Sequence, residues 1–439
     1  MLSGNQTVNA FGRLEIGGCD AVELARKYGT PLYVVDEKVV RDKCRSYLKE
    51  FGCRYPKIGI VFAGKALLTT ALCRIVEQEG LHLDVASAGE LLTAQVAKFP
   101  AERLVIHGNY KSAEEIAMAV SVGAGRLVVD WMGEIPLLEQ ECRRQGKKCD
   151  VLLRITPGVH AETHHYIETG QPDSKFGLPM AFFQDAVQAT EESPSLQLKG
   201  IHCHIGSQIF NLECYPRTVG IVASGLAEAR DRIGFVAEEF NIGGGLGIRY
   251  RQGDNPPSIA DLAEIICSSV KSEFESRGLP LPRILVEPGR SIVGEAGVTL
   301  YTVGVVKEIP GVRKYVAVDG GMSDNPRPAL YDAKYEVMLA NKADQPSTEV
   351  VTVSGKHCET DTLVEDAALP PVEVGDILAF QSTGAYHYSM ASNYNRLPKP
   401  AVVLVCDGQD DLIVRRQTLE EVIAQDRLPA RLDGKPQCR

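Results

Sequence analysis

The sequence predicts an α/β protein: a (β/α)8 TIM barrel followed by a β-rich C-terminal domain that also takes the N-terminal segment. Three observations carry this reading. From Ile58 to Gly289 a short apolar run, a polar or glycine-bearing turn and a helical pattern recur in succession. Past Gly289 the rhythm changes to strands and turns with few helices. At 439 residues the chain is long enough for two domains and a large core.

Taken in order, the apolar runs are IGIVFA, LHLDVA, LVIHG, RLVVD, VLLRI, GIHCHI, EEFNIGG and ILVEPG. Continuous apolar runs of this kind fit parallel strands buried on both faces. Helical stretches such as SAEEIAMAVSVG, EIPLLEQECRRQG and ADLAEIICSSVKSEFESRG separate them. Eight units fit a closed barrel better than an open doubly wound sheet. The open sheet would show G-x-G-x-x-G after its first strand, and that motif is absent there. Beyond Gly289, GVTLYTVGVVKEI, KYVAVDGG, STEVVTVSG, EVGDILAF and AVVLVCDG read as strands, with a helix at TLEEVIAQDRL. RLEIGG and TPLYVVD near the start do not fit the barrel repeat and are expected to join the β domain. The expected division is a barrel over 36–290 and a β-sandwich or barrel-like domain built from 1–35 and 291–439.

Composition narrows the function. A formal net charge of -10 argues against nucleic acid or an anionic membrane as the main partner. MLSGNQTVNAFG lacks the basic start and apolar run of a signal peptide, and no segment reads as long enough to span a bilayer. The 12 cysteines are scattered without a C-x-x-C, which points to reduced thiols and a cytoplasmic protein.

Residues at the C-terminal ends of barrel strands face the active site. Here those ends carry Lys65, Asp84, His107 with Asn109, Asp130, Arg154, His204, Gly243 to Gly245, and Glu287 with Arg290. Any one of them could be an ordinary cap, but such a density of polar groups is not needed for folding. A lysine at the mouth of an apolar barrel can be partly desolvated and act as a nucleophile toward a carbonyl, either of a substrate or of pyridoxal phosphate. The glycines of NIGGGLGIRY could cradle a phosphate or simply form a tight turn. Glu287 could pair with a ring nitrogen and keep it protonated, and His204 offers a flat ring to stack on a cofactor. His202 and His204 share a strand face and could bind metal, but no third ligand is evident, so no metal is expected. Lysine, phosphate cradle and carboxylate together make pyridoxal 5'-phosphate the economical inference. A Schiff-base aldolase would leave Glu287 and the β domain unexplained.

Motifs throughout the chain carry a resemblance: FAGKA, DVASAGEL, HHYIETGQPDSKFGL, HCHIGSQI, GGGLGI, EPGRSIVGEAG, DGGMSDNPRPALYDA, HCETDTL and GAYHYSMASNYN. With these the chain resembles the alanine-racemase-like pyridoxal-phosphate enzymes, and within them the diaminopimelate decarboxylase family; Leu67 stands where that family more often has Asn. The resemblance implies decarboxylation of meso-2,6-diaminopimelate to L-lysine and carbon dioxide. It implies that Lys65 holds the cofactor as a Schiff base, with Asp84 also in the cofactor site, His204 stacked on the ring and Glu287 on its nitrogen. Ser207, the glycines Gly243, Gly244 and Gly245, and the turn through Gly289 to Arg290 would hold the phosphate. Tyr386 would touch cofactor and substrate. Arg290, Arg327 and Tyr331 would bind a substrate carboxylate, Glu359 the distal ammonium, and Cys358 would be the acid that protonates the carbanion. Cys358 and Glu359 would reach into a neighbouring subunit, so a homodimer is implied. Read without the resemblance, Arg327 is a loop arginine between two prolines and Cys358 a thiol in a plain turn. The rival activities are decarboxylation of ornithine, arginine or a carboxylated polyamine, a racemase, and a non-catalytic pyridoxal-phosphate carrier.

Overall fold

A computed structural model describes residues 2, 4–159 and 174–432 of the chain. Eight parallel strands form the barrel: β1 (Ile58–Ala63), β2 (His82–Val85), β3 (Leu104–Ile106), β4 (Arg126–Val129), β5 (Cys149–Thr156), β6 (Leu196–His202), β7 (Glu239–Asn241) and β8 (Arg283–Val286). Each pairs with the next, and β8 pairs with β1 to close the ring. Closure removes every strand edge. Val61, Val105, Val128, Leu152 and Leu285 pack together as a buried cluster of strand side chains, one each from β1, β3, β4, β5 and β8. The alternate strand side chains join the helices in one large core.

Seven long helices follow β1 to β7 in turn, but β8 is followed only by the short helix Arg290–Val293. The eighth place is taken by Glu37–Gly52, which precedes β1 and packs against Ile259–Glu275, Arg290–Val293 and β1. Asp36 starts that helix, accepting from Val39 N at 3.1 Å. Gly200 marks the tightest approach in the wall. A Cβ there would lie 1.8 Å from Glu239 O, at the point where the β5–β6 register shifts.

Past β8 the chain builds a nine-stranded, mostly antiparallel sheet. Its long central strand is Gly297–Ile309. The N-terminal strand Leu32–Asp36 sits inside it, antiparallel to Gly297–Ile309 and parallel to Ala401–Cys406. RLEIGG does not enter that sheet. Leu14–Ile16 lies instead in a separate three-stranded sheet with Gln6–Val8 and Cys19–Asp20, and its apolar side chains pack on the face of Leu32–Asp36. The helix expected at TLEEVIAQDRL is present but brief, Leu419–Ile423.

Candidate active site

β1 ends at Ala63, and one 3-10 turn, Gly64–Ala66, carries Lys65. Gly64 is required because a Cβ would fall 2.6 Å from Asp84 O, the end of β2. The expectation of a partly desolvated amine is not met: Lys65 is exposed at the barrel mouth. The turn is held from the other domain. Ala66 O accepts from Tyr386 N at 2.8 Å and from Ser389 Oγ at 3.2 Å. Tyr386 has φ +63, an uncommon left-handed conformation for a bulky side chain and one that concentrates at functional sites.

Lys65, Asp84, His204, Ser207, Gly245, Glu287, Gly289, Arg290 and Tyr386 line one cleft at the C-terminal ends of β1, β2, β6, β7 and β8. Gly243 and Gly244, expected in the phosphate cradle, stand where the strand ends close up. Gly243 N donates to Asn241 Oδ1 at 3.0 Å and Gly244 N to His204 Nδ1 at 3.3 Å. Their lack of a Cβ lets the strand ends close up, since a Cβ on Gly244 would sit 2.0 Å from Glu287 O. Gly245, at φ +123, stays on the cleft wall.

Glu287 is buried and fully engaged on three sides. Its Oε1 accepts from His107 Nε2 at 2.9 Å and Asn241 Nδ2 at 2.7 Å, and its Oε2 from His202 Nε2 at 3.0 Å. Burial, the largest single effect, would raise this carboxyl; the charge of His107 and the hydrogen bonds of His107 and His202 prevail and hold it well below the usual carboxylate range. His107 is itself raised, because the Glu287 and Asp84 charges outweigh its burial. His202, drawn down to about 4 by burial, is neutral. Burial also lifts Asp84 to about 6. The histidine pair considered for metal thus divides. His204 turns to the cleft, while His202 meets Glu287 and His107, whose ligand atoms lie within 4.8 Å of one another and hydrogen-bond directly.

Two buried arginines flank Tyr386. Arg290 donates from Nε and Nη2 to Ser207 Oγ, at 3.3 and 3.0 Å, and from Nη1 to Tyr250 Oη. Its guanidinium lies 4.8 Å from the Tyr386 ring centre. Arg327 opens the short helix Arg327–Tyr331, which places its guanidinium 5.2 Å from the Tyr331 ring and 5.6 Å from that of Tyr386. Its Nε donates to Tyr335 Oη at 2.9 Å. Neither arginine forms an ion pair with a carboxylate among the described residues. A buried guanidinium without an anion is costly, so both are suited to an anion that arrives from outside.

Cys358 and Glu359 are exposed and do not line this cleft. Cys358 N donates to Asn395 Oδ1 at 3.1 Å, and Tyr394 Oη donates to Glu359 Oε1. The His357 and Tyr394 rings stack at 5.7 Å, so HCETD and MASNYN brace one another. Of HHYIETGQPDSKFGL, positions 164–173 lie outside the described residues. Sequence reasoning missed Asn241, Tyr250 and Tyr335 altogether, and it named His107 and His202 without their common partner. Position at a strand end was the available signal for Asn241; the tyrosines gave none.

Residues 37–294 match the family model described as "Pyridoxal-dependent decarboxylase, pyridoxal binding domain", which sets the class of this barrel and cleft. The chain is 50% identical to the diaminopimelate decarboxylase of Bacillus subtilis, over 97% of this chain and 98% of the relative. It is 44% identical to that of Staphylococcus aureus, over 95% and 98%. A solved diaminopimelate decarboxylase from M. jannaschii in co-complex with L-lysine superposes with a TM-score of 0.91 at 35% identity, covering 98% of this chain and 100% of that one. The chain belongs to the diaminopimelate decarboxylase family of pyridoxal-dependent decarboxylases.

Proposed function

We propose that this protein decarboxylates meso-2,6-diaminopimelate to L-lysine and carbon dioxide with pyridoxal 5'-phosphate. The observation that carries the reading is an exposed lysine and a clamped glutamate anion in one cleft of a barrel that matches the family over nearly its whole length. The residues fit the cofactor. Lys65 offers the amine, Ser207, Gly245 and Arg290 offer donors for a phosphate, and Glu287 keeps one acceptor position free.

When bound, pyridoxal phosphate supplies the electron sink that accepts the pair left behind by carbon dioxide. The chain supplies orientation and charge. Lys65 would hold the cofactor through its amine. His204, kept neutral chiefly by burial, presents a flat face to the ring. Glu287, an anion, would accept from the ring nitrogen and keep a proton there. Arg327, with Tyr331 beside it, takes a substrate carboxylate through a planar fork that a lysine could not reproduce. Tyr386 lies between the two arginines and contacts both cofactor and substrate. Cys358 delivers the proton to carbon and Glu359 takes the distal ammonium, both from the other subunit of a homodimer, which accounts for their exposure in the single chain. The acidic balance and scattered thiols favour a cytoplasmic protein, and among the described residues no helix is long and apolar enough to cross a membrane.

The test is substrate-resolved. Purified protein with added cofactor is assayed for carbon dioxide release from meso-diaminopimelate, L-lysine, ornithine and arginine. Release from meso-diaminopimelate alone is expected; a preference for ornithine or arginine would reassign the substrate. Lys65→Ala is expected to lose the cofactor's covalent absorption band and all turnover, and borohydride reduction should label residue 65 of the unmodified protein.

A further inference from the structure

A carboxylate buried at the strand ends of a barrel survives as an anion only if donors hold it there. Glu287 is 7% exposed, and a buried carboxyl with no donors would take up a proton and become neutral. Three side chains from three different strands prevent this. His107 follows β3, His202 ends β6 and Asn241 ends β7, and all three converge on Glu287 after β8. A carboxylate offers about four acceptor positions. Both positions on Oε1 are filled, and Oε2 takes one donor from His202. What remains is room for one more donor, on a residue that lines the cleft.

We infer that His107, His202 and Asn241 are positioning residues that hold Glu287 as an anion in one orientation, so that the proton it shares with the cofactor's ring nitrogen rests on nitrogen. The inference rests on the proposed pyridoxal-phosphate function. Its logic is competition for a single proton. Each donor that stabilises the charged carboxylate makes it a weaker base, and the weaker base leaves the proton with the ring. Remove the donors and burial drives the proton onto Glu287, where it no longer supports an electron sink.

The two histidines contribute differently. Their rings meet edge to face with centres 4.8 Å apart. His107 faces the Glu287 and Asp84 carboxylates, with Arg154 as the opposing charge, and the two carboxylates outweigh burial and favour its charged form. His202 faces Glu287, His107 and Arg154 and donates while neutral; its Nδ1 is buried with no hydrogen-bond partner among the described residues. A neutral donor of the same reach therefore replaces His202 but not His107.

The experiment uses holoenzyme loaded with pyridoxal phosphate labelled with 15N in the ring. The 15N shift reports directly whether the nitrogen is protonated. The unmodified enzyme is expected to keep the protonated shift from about pH 6 to about pH 9, well beyond the range of an unassisted pyridine. His107→Leu and His202→Leu should move the shift toward the unprotonated value and lower kcat on the order of tenfold, with KM for meso-diaminopimelate changed less than about threefold. His202→Gln should restore the unmodified shift, and His107→Gln should not. These glutamine variants keep the test decisive if the leucine ones do not fold. An unmodified shift in both Leu variants, or in His107→Gln, overturns the inference, provided that Glu287→Gln does move it. Glu287→Gln without effect would instead overturn the assignment of Glu287, and a protein that takes no cofactor would overturn the proposed function itself.

Discussion

At the scale of single residues, burial acts on acids with opposite outcomes that depend on their donors. Glu287 has three side-chain donors and stays charged. Asp324, in the SDNPRPALY segment, is equally deep, but among the described residues it accepts only from neutral donors: Tyr301 Oη, Gly321 N at 3.0 Å and, weakly, Ser323 Oγ at 3.4 Å. Burial pushes it up to about 7, with the Asp361 and Asp319 charges adding to the rise. The sign follows from proton counting. Between about pH 4 and pH 7 the folded state holds a proton here that the unfolded state has lost, so this residue subtracts stability as pH rises through that window. Asp324→Asn removes the titration and keeps the shape. Its melting temperature relative to the unmodified protein should climb by about 2 °C between pH 5 and pH 8, measured by calorimetry on both proteins. A flat difference across that range would contradict the buried neutral acid. The single residues that sequence alone exposed were those placed against their surroundings, such as Lys65 between apolar neighbours or three consecutive glycines. The clamp on Glu287 was not legible, because His107 stands 180 residues away in the chain and only barrel closure brings the two together.

At the scale of elements, legibility followed burial. The barrel strands were readable because most are short runs rich in apolar residues, the mark of a strand covered on both faces, and Glu239–Asn241 (EFN) stood out only by its place in the repeat. Thr362–Leu369 and Gln409–Val414 were missed, and they end the main path of the nine-stranded sheet, while Val337–Leu339, also missed, ends its branch. Edge strands carry charges against unwanted pairing, here Glu365 and Asp366 in the first and Asp410 and Asp411 in the second, and this erases the apolar signature. The loop that carries Cys358, a plain turn when read without the resemblance, is stapled. Asp361 is buried, takes the N and Nδ1 of His357 at 3.1 and 2.7 Å on Oδ2, and takes Met322 N at 2.8 Å on Oδ1. Gly321 and Gly355 exist to admit it, since a Cβ on either would lie 2.1 or 2.0 Å from Asp361 Oδ2. Asp361→Ala strips the staple and leaves His357 buried without its partner, at a cost of about 2–4 kcal/mol. The expected outcome is a lower melting temperature with the cofactor band retained and kcat reduced roughly tenfold, because the proposed proton donor loses its fixed place while Lys65 does not. Loss of the band in Asp361→Ala would mean that the loop supports the cofactor site rather than the proton transfer.

At the scale of the whole molecule, the two halves of the chain are interlocked rather than strung together. Leu32–Asp36 belongs to the β sheet, yet the next residue begins the helix that completes the barrel's outer ring. In return, Tyr386 and Ser389 of the β domain hold the turn that carries Lys65. That exchange was only partly foreseeable: the early strand stood out as foreign to the barrel repeat, but its register between Gly297–Ile309 and Ala401–Cys406 depends on contacts across most of the chain. The same geometry bears on assembly. Lys65 opens into the cleft of its own barrel, whereas Cys358 and Glu359 stand exposed outside it. If a second copy brings them in, as proposed, two inactive variants can repair each other. Lys65→Ala and Cys358→Ala, each inactive alone, are mixed, dissociated and reassociated. Half of the pairs are then mixed, and each mixed pair holds one intact site, so activity should recover to about a quarter of the unmodified protein's. Dilution that separates the subunits should abolish it. Recovery absent at every mixing ratio, with dimers confirmed by light scattering, would place Lys65 and Cys358 on one protomer and end the shared-site account.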